Sequence, residues 1–486
     1  MKFPSLLYSG APSGSVISPD VFNDLKLDLL LGEEAIKAML RLCPAEDIPV
    51  RQQLFSELEN AELRTHFKLL ARDIASVCKL SEALDGAACD NERNYIFFNL
   101  MSAQMRFYRD AARTAGKSSF LARFGEFFSK ECQSETCRKI DDITSLNLPK
   151  TDKVRENELV ILGEKLRIRT NGPETLVSRL HRCAAELGIG DGREGRSVSI
   201  KLKPRMINAL AVLYPDIFKL LHDFYEEFSS FYDESITGYH SELNFYLEVY
   251  AILEKVKAAG MPVCIPAVSQ TKRVWVKNAR DISLLAKNVT DIVANDISFT
   301  EEEPFYYLTG ANGGGKTTYL RSVGITLIMF LSGCPLVCDE AEIYPLRCVF
   351  THFPRDERFD GEGRFADEEN RVSEILSAQA GDSLVLLNET YSTTSEETAV
   401  ELTNKLASTL YDSGSFGIYI THQHGVDQTR IPFLSVIIDE NDANRRTYRI
   451  ARRRGASGSF AYDVLKKYAL TADALKERFG KGGETK

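Results

Sequence analysis

The sequence predicts a chain in two parts, a C-terminal α/β P-loop NTPase domain and an N-terminal domain that is mainly α-helical. Three observations predict it. Residues 304–323 read PFYYLTGANGGGKTTYLRSV, a short apolar strand, a glycine-rich loop and the start of a helix. Beyond Gly260, strand-like runs at 274–277, 291–299, 383–387, 417–420 and 434–438 alternate with helical stretches, the pattern of a mostly parallel sheet. Between residues 19 and 260, apolar residues recur mainly at helical spacing.

The loop carries the clearest chemistry. Gly310-x-x-x-x-Gly315-Lys316-Thr317 is the P-loop pattern. Glycines let successive backbone N–H groups turn inward around phosphate oxygens, and the helix expected from about Tyr319 adds the positive end of its dipole. Lys316 can reach the β- and γ-phosphates, and the Thr317 hydroxyl can ligate Mg²⁺. The expected nucleotide-binding residues are Gly310, Ala311, Asn312, Gly313, Gly314, Gly315, Lys316, Thr317 and Thr318.

Two downstream segments complete a candidate site. Residues 383–389 read SLVLLNE, four apolar residues after a serine and then Asn388 and Glu389 at the strand's carboxyl end, where open α/β sheets bind ligands. Glu389 is placed to orient or deprotonate a water attacking the γ-phosphate. Asn388 stands where an aspartate normally supports Mg²⁺; its amide oxygen can accept a bond from a metal-bound water but brings no negative charge. Residues 417–422, GIYITH, form a strand ending at Thr421 and His422, with His422 the catalytic candidate and His424 the bystander. The catalytic set read from the sequence is Lys316, Glu389 and His422, with Thr317 and Asn388 on the metal.

Composition narrows the class. The 486 residues are 44% hydrophobic and 27% charged, as in ordinary globular proteins. No apolar run is long enough to span a bilayer and the first ten residues lack a secretory pattern, so the expectation is a cytoplasmic protein without a membrane partner. Ten cysteines form no metal-binding or disulfide framework; the closest pairs, Cys132/Cys137 and Cys334/Cys338, have no matching second pair, and reduced thiols are expected. A net charge of −9 argues against indiscriminate coating of nucleic acid but leaves room for a local basic groove.

In chain order, residues 1–18 read as an extended lead-in and 19–262 as the helical domain. Leu54, Phe55 and Leu58, then Phe67, Leu70, Ile74 and Val77, mark helix faces. Residues 148–205 differ, with a strand, turn and strand near 158–169, a glycine- and charge-rich loop at 188–196 and an alternating strand at 197–203; this is a small insertion or a connector. Residues 206–260 predict two long helices whose aromatics (Phe218, Tyr225, Phe228, Tyr232, then Tyr239, Tyr246, Tyr250) recur near heptad spacing. A packed helical hairpin is the first expectation, and an aromatic surface for nucleic acid the second. Residues 263–486 read as the P-loop domain. Arg193, Arg196, Lys201, Lys203 and Arg205 are either phosphate-backbone contacts or a solvated loop and strand edge.

These pieces, in this order, resemble the MutS family of mismatch-repair ATPases. The resemblance is closest at 309–321, TGANGGGKTTYLR, which implies that Asn312 contacts the γ-phosphate. Residues 294–297, ANDI, are similar to the family's nucleotide-flanking strand, which places Ile292 beside the nucleotide. Residues 47–64 look like the start of the family's core and lever helices, and 455–460, GASGSF, like the segment before its terminal dimerisation helices. The match is strong over about 285–465, moderate over 19–80 and 236–262, and weak between. It implies ATP and Mg²⁺ as cofactors, a homodimer with composite sites, and double-stranded or branched DNA as cargo. Three departures qualify it. The length leaves no room for mismatch-reading and connector domains. Asn388 replaces an aspartate. The family's trans-acting Ser-Thr-Phe aligns with Gly363, Arg364 and Phe365, so its serine is missing; Arg364 is either a cation aimed across the dimer or a surface arginine. The expected function is a MutS-like clamp that binds and hydrolyses ATP, holds DNA without reading mismatches and is gated by nucleotide. The alternative is a nucleotide-gated switch with little or no hydrolysis that binds DNA or a protein.

Overall fold

The structure is a computed structural model that describes residues 3–155, 158–162, 165–169, 204–354, 371–377, 381–391, 395–423, 425–427, 429–438 and 446–453. It divides into two compact units, residues 1–6 with 60–243, and residues 7–59 with 244–486.

The first unit is helical. Its principal helices are α1 (Ala61–Asp85), α2 (Asp90–Ala111), α3 (Ser119–Gln133), α4 (Glu135–Arg155), α5 (Pro204–Leu213) and α6 (Pro215–Phe228). Local sequence sets their starts: the Asn60 side chain accepts from Glu62 N at 2.8 Å to cap α1, and the Ser118 hydroxyl accepts from Leu121 N at 3.3 Å to cap α3. Phe67, Leu70, Ile74 and Val77 make the buried face of α1, as their spacing predicts. Helix α2 is buried along most of its length, polar Asn94, Asn99, Ser102 and Gln104 included, and runs through the middle of the unit, packed by α1, α3, α4, α5 and α6. Phe3, Phe107, Tyr108, Phe124, Phe128 and Tyr239 close one end as a ring cluster with edge and tilted contacts. Strands β1 (Glu158–Leu162) and β2 (Lys165–Arg169) pair antiparallel, Glu158 opposite Arg169, as the strand-turn-strand reading predicts.

The expected hairpin over 206–260 is corrected. Pro215 breaks the first helix into α5 and α6, α6 stops at Phe228, and 3₁₀ turns lead to α7 (Tyr239–Ala258). The α6 aromatics pack on α2, with Phe224 against Phe97 and Phe98 at 5.9 and 5.1 Å and Tyr225 against Phe97 at 5.1 Å. Of the aromatics read from the spacing, Phe218, Phe228, Tyr239, Tyr246 and Tyr250 are buried and Tyr225 and Tyr232 only partly so.

The second unit is α/β. A six-stranded sheet has the order β12-β11-β6-β10-β9-β8, built from β6 (Phe305–Thr309), β8 (Cys348–His352), β9 (Ser383–Asn388), β10 (Phe416–Ile420), β11 (Phe433–Ile438) and β12 (Arg446–Arg453). All neighbours are parallel except β12, which runs antiparallel to β11. The parallel core strands are apolar on both faces, as burial under helices on both sides requires. Helix α8 (Lys316–Leu331) packs on one face, where Gly324 lies against Leu386 and Leu25. Helix α9 (Glu396–Asp412) covers the other face through Leu406 and Leu410 with Phe305, Tyr307, Val385, Leu387 and Tyr419. Gly417 sits between strands where any Cβ would run into the Phe305 ring and the Val385 carbonyl oxygen. A second, four-stranded sheet of order β3-β7-β4-β5 comprises β3 (Ala267–Val268), β4 (Val274–Ala279), β5 (Asn295–Phe299) and β7 (Glu340–Ile343).

Candidate functional site

The site lies at the carboxyl ends of β6, β9 and β10. The chain leaves β6 at Thr309 and enters α8 at Lys316, three residues earlier than the sequence reading placed the helix. Gly313 and Gly315 hold φ of 69° and 95°, left-handed geometry that keeps the loop tight and that other residues adopt at a cost. Gly315 is thereby the cap of α8, whose first amides face the loop.

Lys316 is buried and folds back into the loop. Its ammonium donates to Gly310 O at 2.7 Å, Ala311 O at 3.3 Å and Asn312 Oδ1 at 3.4 Å. Burial lowers its pKa, and the Glu389 carboxylate opposes that shift. Asn312 is exposed, and Thr317 and Thr318 are half-buried on the first turn of α8. Ile292 is buried in the segment leading into β5.

Glu389 follows β9 directly. Its backbone N–H donates to Ile420 O at 3.0 Å, and its φ of 53° turns the chain sharply out of the strand. Its Oε1 lies 3.0 Å from His422 Nε2, at the end of the neighbouring parallel strand. The hydrogen bond from His422 holds the Glu389 carboxyl below its ordinary range, against the opposing effect of burial. The next residue is braced from two sides: Tyr419 OH donates to Thr390 O at 2.8 Å, and Thr390 Oγ1 pairs with His352 Nδ1 at 3.0 Å. Asn388 is buried, and its Oδ1 has no hydrogen-bond partner among the described residues. A buried acceptor with nothing to accept from fits the support of a hydrated metal ion.

The structure therefore brings Lys316, Glu389 and His422 into one neighbourhood, with Asn388 beside Glu389. Gly363, Arg364, Phe365, Arg193, Arg196, Lys201, Lys203 and His424 lie outside the described residues, and Arg205 is placed only as backbone in α5.

Two residues at the loop were missed in the sequence. Arg446 Nη1 donates to Gly313 O at 2.8 Å, and the Tyr448 ring lies against Gly315. Both come from β12, more than a hundred residues downstream, and alternate residues of a strand share a face. The Asn295 side chain fixes this strand to β5, donating to Tyr448 O at 3.1 Å and accepting from Ile450 N at 2.8 Å.

The fold and site define an α/β domain whose polar residues converge at the carboxyl ends of a largely parallel sheet. Residues 306–465 match the family MutS domain V, the family's ATPase domain. "DNA mismatch repair protein MutS" of Thermosipho melanesiensis is 35% identical over 150 residues, 30% of this chain. "Endonuclease MutS2" of Solidesulfovibrio magneticus is 26% identical over 219 residues, 44% of this chain. "DNA mismatch repair protein Msh3" of Homo sapiens is 28% identical over 205 residues, 41% of this chain. The matches span only 18%, 28% and 18% of those relatives' own lengths. The likeness to the MutS family is carried by the C-terminal part of the chain, residues 306–465. No helix among the described residues is long and apolar enough to cross a membrane.

Proposed function

We propose that this chain is an ATP-binding and slowly ATP-hydrolysing MutS-like clamp, active as a homodimer, that holds DNA without reading mismatches. The observation that carries the reading is the Glu389–His422 pair, 3.0 Å apart on adjacent parallel strands and electrostatically linked to Lys316 in the glycine loop. Lys316 would exchange its loop carbonyls for the β- and γ-phosphate oxygens, with the amides of residues 312–317 around them and Asn312 at the γ end. Glu389, kept ionised by His422, would accept the proton of the attacking water. Thr317 and Asn388 would hold Mg²⁺, which supplies charge neutralisation on the phosphates. The P-loop class, the division into lead-in, helical and ATPase domains, and the dimer completed near Gly363, Arg364 and Phe365 belong to this proposal. So do DNA contacts at Arg193, Arg196, Lys201, Lys203 and Arg205, held by backbone charge.

A second reading is favoured by Asn388. Without a negative charge there, metal support is weaker, and nucleotide would act as a switch with little turnover. Steady-state ATPase assays with and without duplex DNA separate the two. Slow turnover that is lost in Glu389→Gln and raised in Asn388→Asp supports the damped enzyme. Nucleotide binding with no turnover even in Asn388→Asp supports the switch. A folded protein that takes up no adenine nucleotide overturns both.

A further inference from the structure

Cys264 and Cys338 are 74 residues apart in the chain, yet their sulfurs lie 3.1 Å apart. The approach is built by backbone: Cys264 N donates to Leu336 O and Leu336 N to Cys264 O, each at 2.9 Å, so an antiparallel bridge holds the two segments side by side. Both cysteines are free thiols; Cys338 is buried and Cys264 is half-buried. The pair suggested by sequence proximity, Cys334 with Cys338, is not the one the fold brings together.

We propose that Cys264 and Cys338 are an oxidation site that closes reversibly to a disulfide. The chemistry needs a two-electron oxidant, and hydrogen peroxide is a class small enough to reach the half-buried Cys264. The Cys264 thiolate attacks one peroxide oxygen and releases hydroxide, which takes up a proton as water, leaving a sulfenic acid. The Cys338 sulfur then attacks the Cys264 sulfur, loses its proton and expels the second water. In total two thiols and one peroxide give one disulfide and two waters. A thiol reductant returns the pair to its starting state. The electrostatics agree with that division of labour. The hydrogen bond from Cys338 lowers the Cys264 pKa and raises that of Cys338 itself, so Cys264 is the attacking thiolate. The sulfurs need to close by about 1 Å to reach a bonded separation of roughly 2.05 Å. The cross-link would enclose residues 265–337, which contain the glycine loop and α8, in one covalent ring. The inference does not depend on the proposed nucleotide chemistry.

The test uses the full chain, reduced and then treated with hydrogen peroxide, digested without reductant and mapped by mass spectrometry. The expected result is a Cys264–Cys338 cross-linked peptide, two fewer titratable thiols of the ten, and reversal by dithiothreitol. Cys264→Ser should abolish the cross-link, whereas Cys334→Ser should retain it, and oxidation should raise the unfolding temperature of wild type but not of Cys264→Ser. A pairing of Cys338 with Cys334, or Cys264 carried to sulfinic acid without pairing, would overturn the proposal. Should Cys264→Ser fail to fold, the wild-type peptide map decides alone.

Discussion

Replacing Lys316 by methionine separates the lysine's work on nucleotide from its part in the fold. The side chain is 5% exposed and makes one good and two long hydrogen bonds, all to the loop itself. Its removal takes a penalised charge out of the interior and leaves the Gly310 carbonyl without this donor. Each effect is of order 1–3 kcal/mol and they oppose each other, so unfolding at neutral pH should change by no more than about 1 kcal/mol. Nucleotide affinity has no such compensation. Charge-assisted bonds to phosphate contribute about 1.5–3 kcal/mol, which corresponds to about 10- to 150-fold weaker binding of ATP by isothermal titration. The pH dependence has a definite sign. Burial holds the folded pKa of Lys316 below the ordinary 10.5, so between the folded value and 10.5 the unfolded chain binds more protons. Wild type should therefore gain stability relative to Lys316→Met as pH rises through that window. ATP affinity within threefold of wild type in a folded variant would refute the assignment of Lys316 to the phosphates.

Other outcomes follow from the same geometry. Glu389→Gln should leave ATP bound but reduce phosphate release about 100-fold or more, as loss of a general base does; unchanged turnover in a phosphate-release assay would remove Glu389 from the chemistry. His422→Ala should let Glu389 titrate nearer 4.5, because the His422 hydrogen bond is the main cause of its lowered value. The stability supplied by the pair is present above pH 4.5 and lost as acid protonates Glu389, so wild type and His422→Ala should converge in acid-unfolding curves. Arg51, fully buried, donates to Leu7 O at 2.9 Å and Ser332 O at 3.1 Å, with its guanidinium 4.9 Å from the Tyr8 ring centre. Arg51→Met should cost about 2–4 kcal/mol in denaturant titration, through lost charge-assisted bonds just beyond α8; a loss under 1 kcal/mol would show that the site relaxes around methionine.

Much of this was legible because it is local. A strand, a glycine loop and a helix that follow one another within thirty residues announce themselves through residue type alone, and so do Asn388 and Glu389 at the end of an apolar run. The Glu389–His422 contact was reachable because both residues end apolar strands of a parallel sheet, which aligns their carboxyl ends. What the sequence hid is long-range. Phe218, Tyr225 and Phe228 read as packing residues, but nothing in their spacing selects α2 as the helix they meet, and Phe224, which lies against Phe97 and Phe98, was not singled out. Arg446 and Tyr448 reach the glycine loop only because β12 folds back antiparallel on β11. Cys264 meets Cys338 through a single backbone bridge that carries no compositional signal. The four-stranded second sheet was visible only as strand-rich sequence, without its order.

The most direct test of the central claim is equilibrium binding of radiolabelled ATP with Mg²⁺ to the purified full chain. The account predicts one nucleotide per chain, displaced by ADP and excess unlabelled ATP. A folded protein that retains no label at millimolar nucleotide contradicts it.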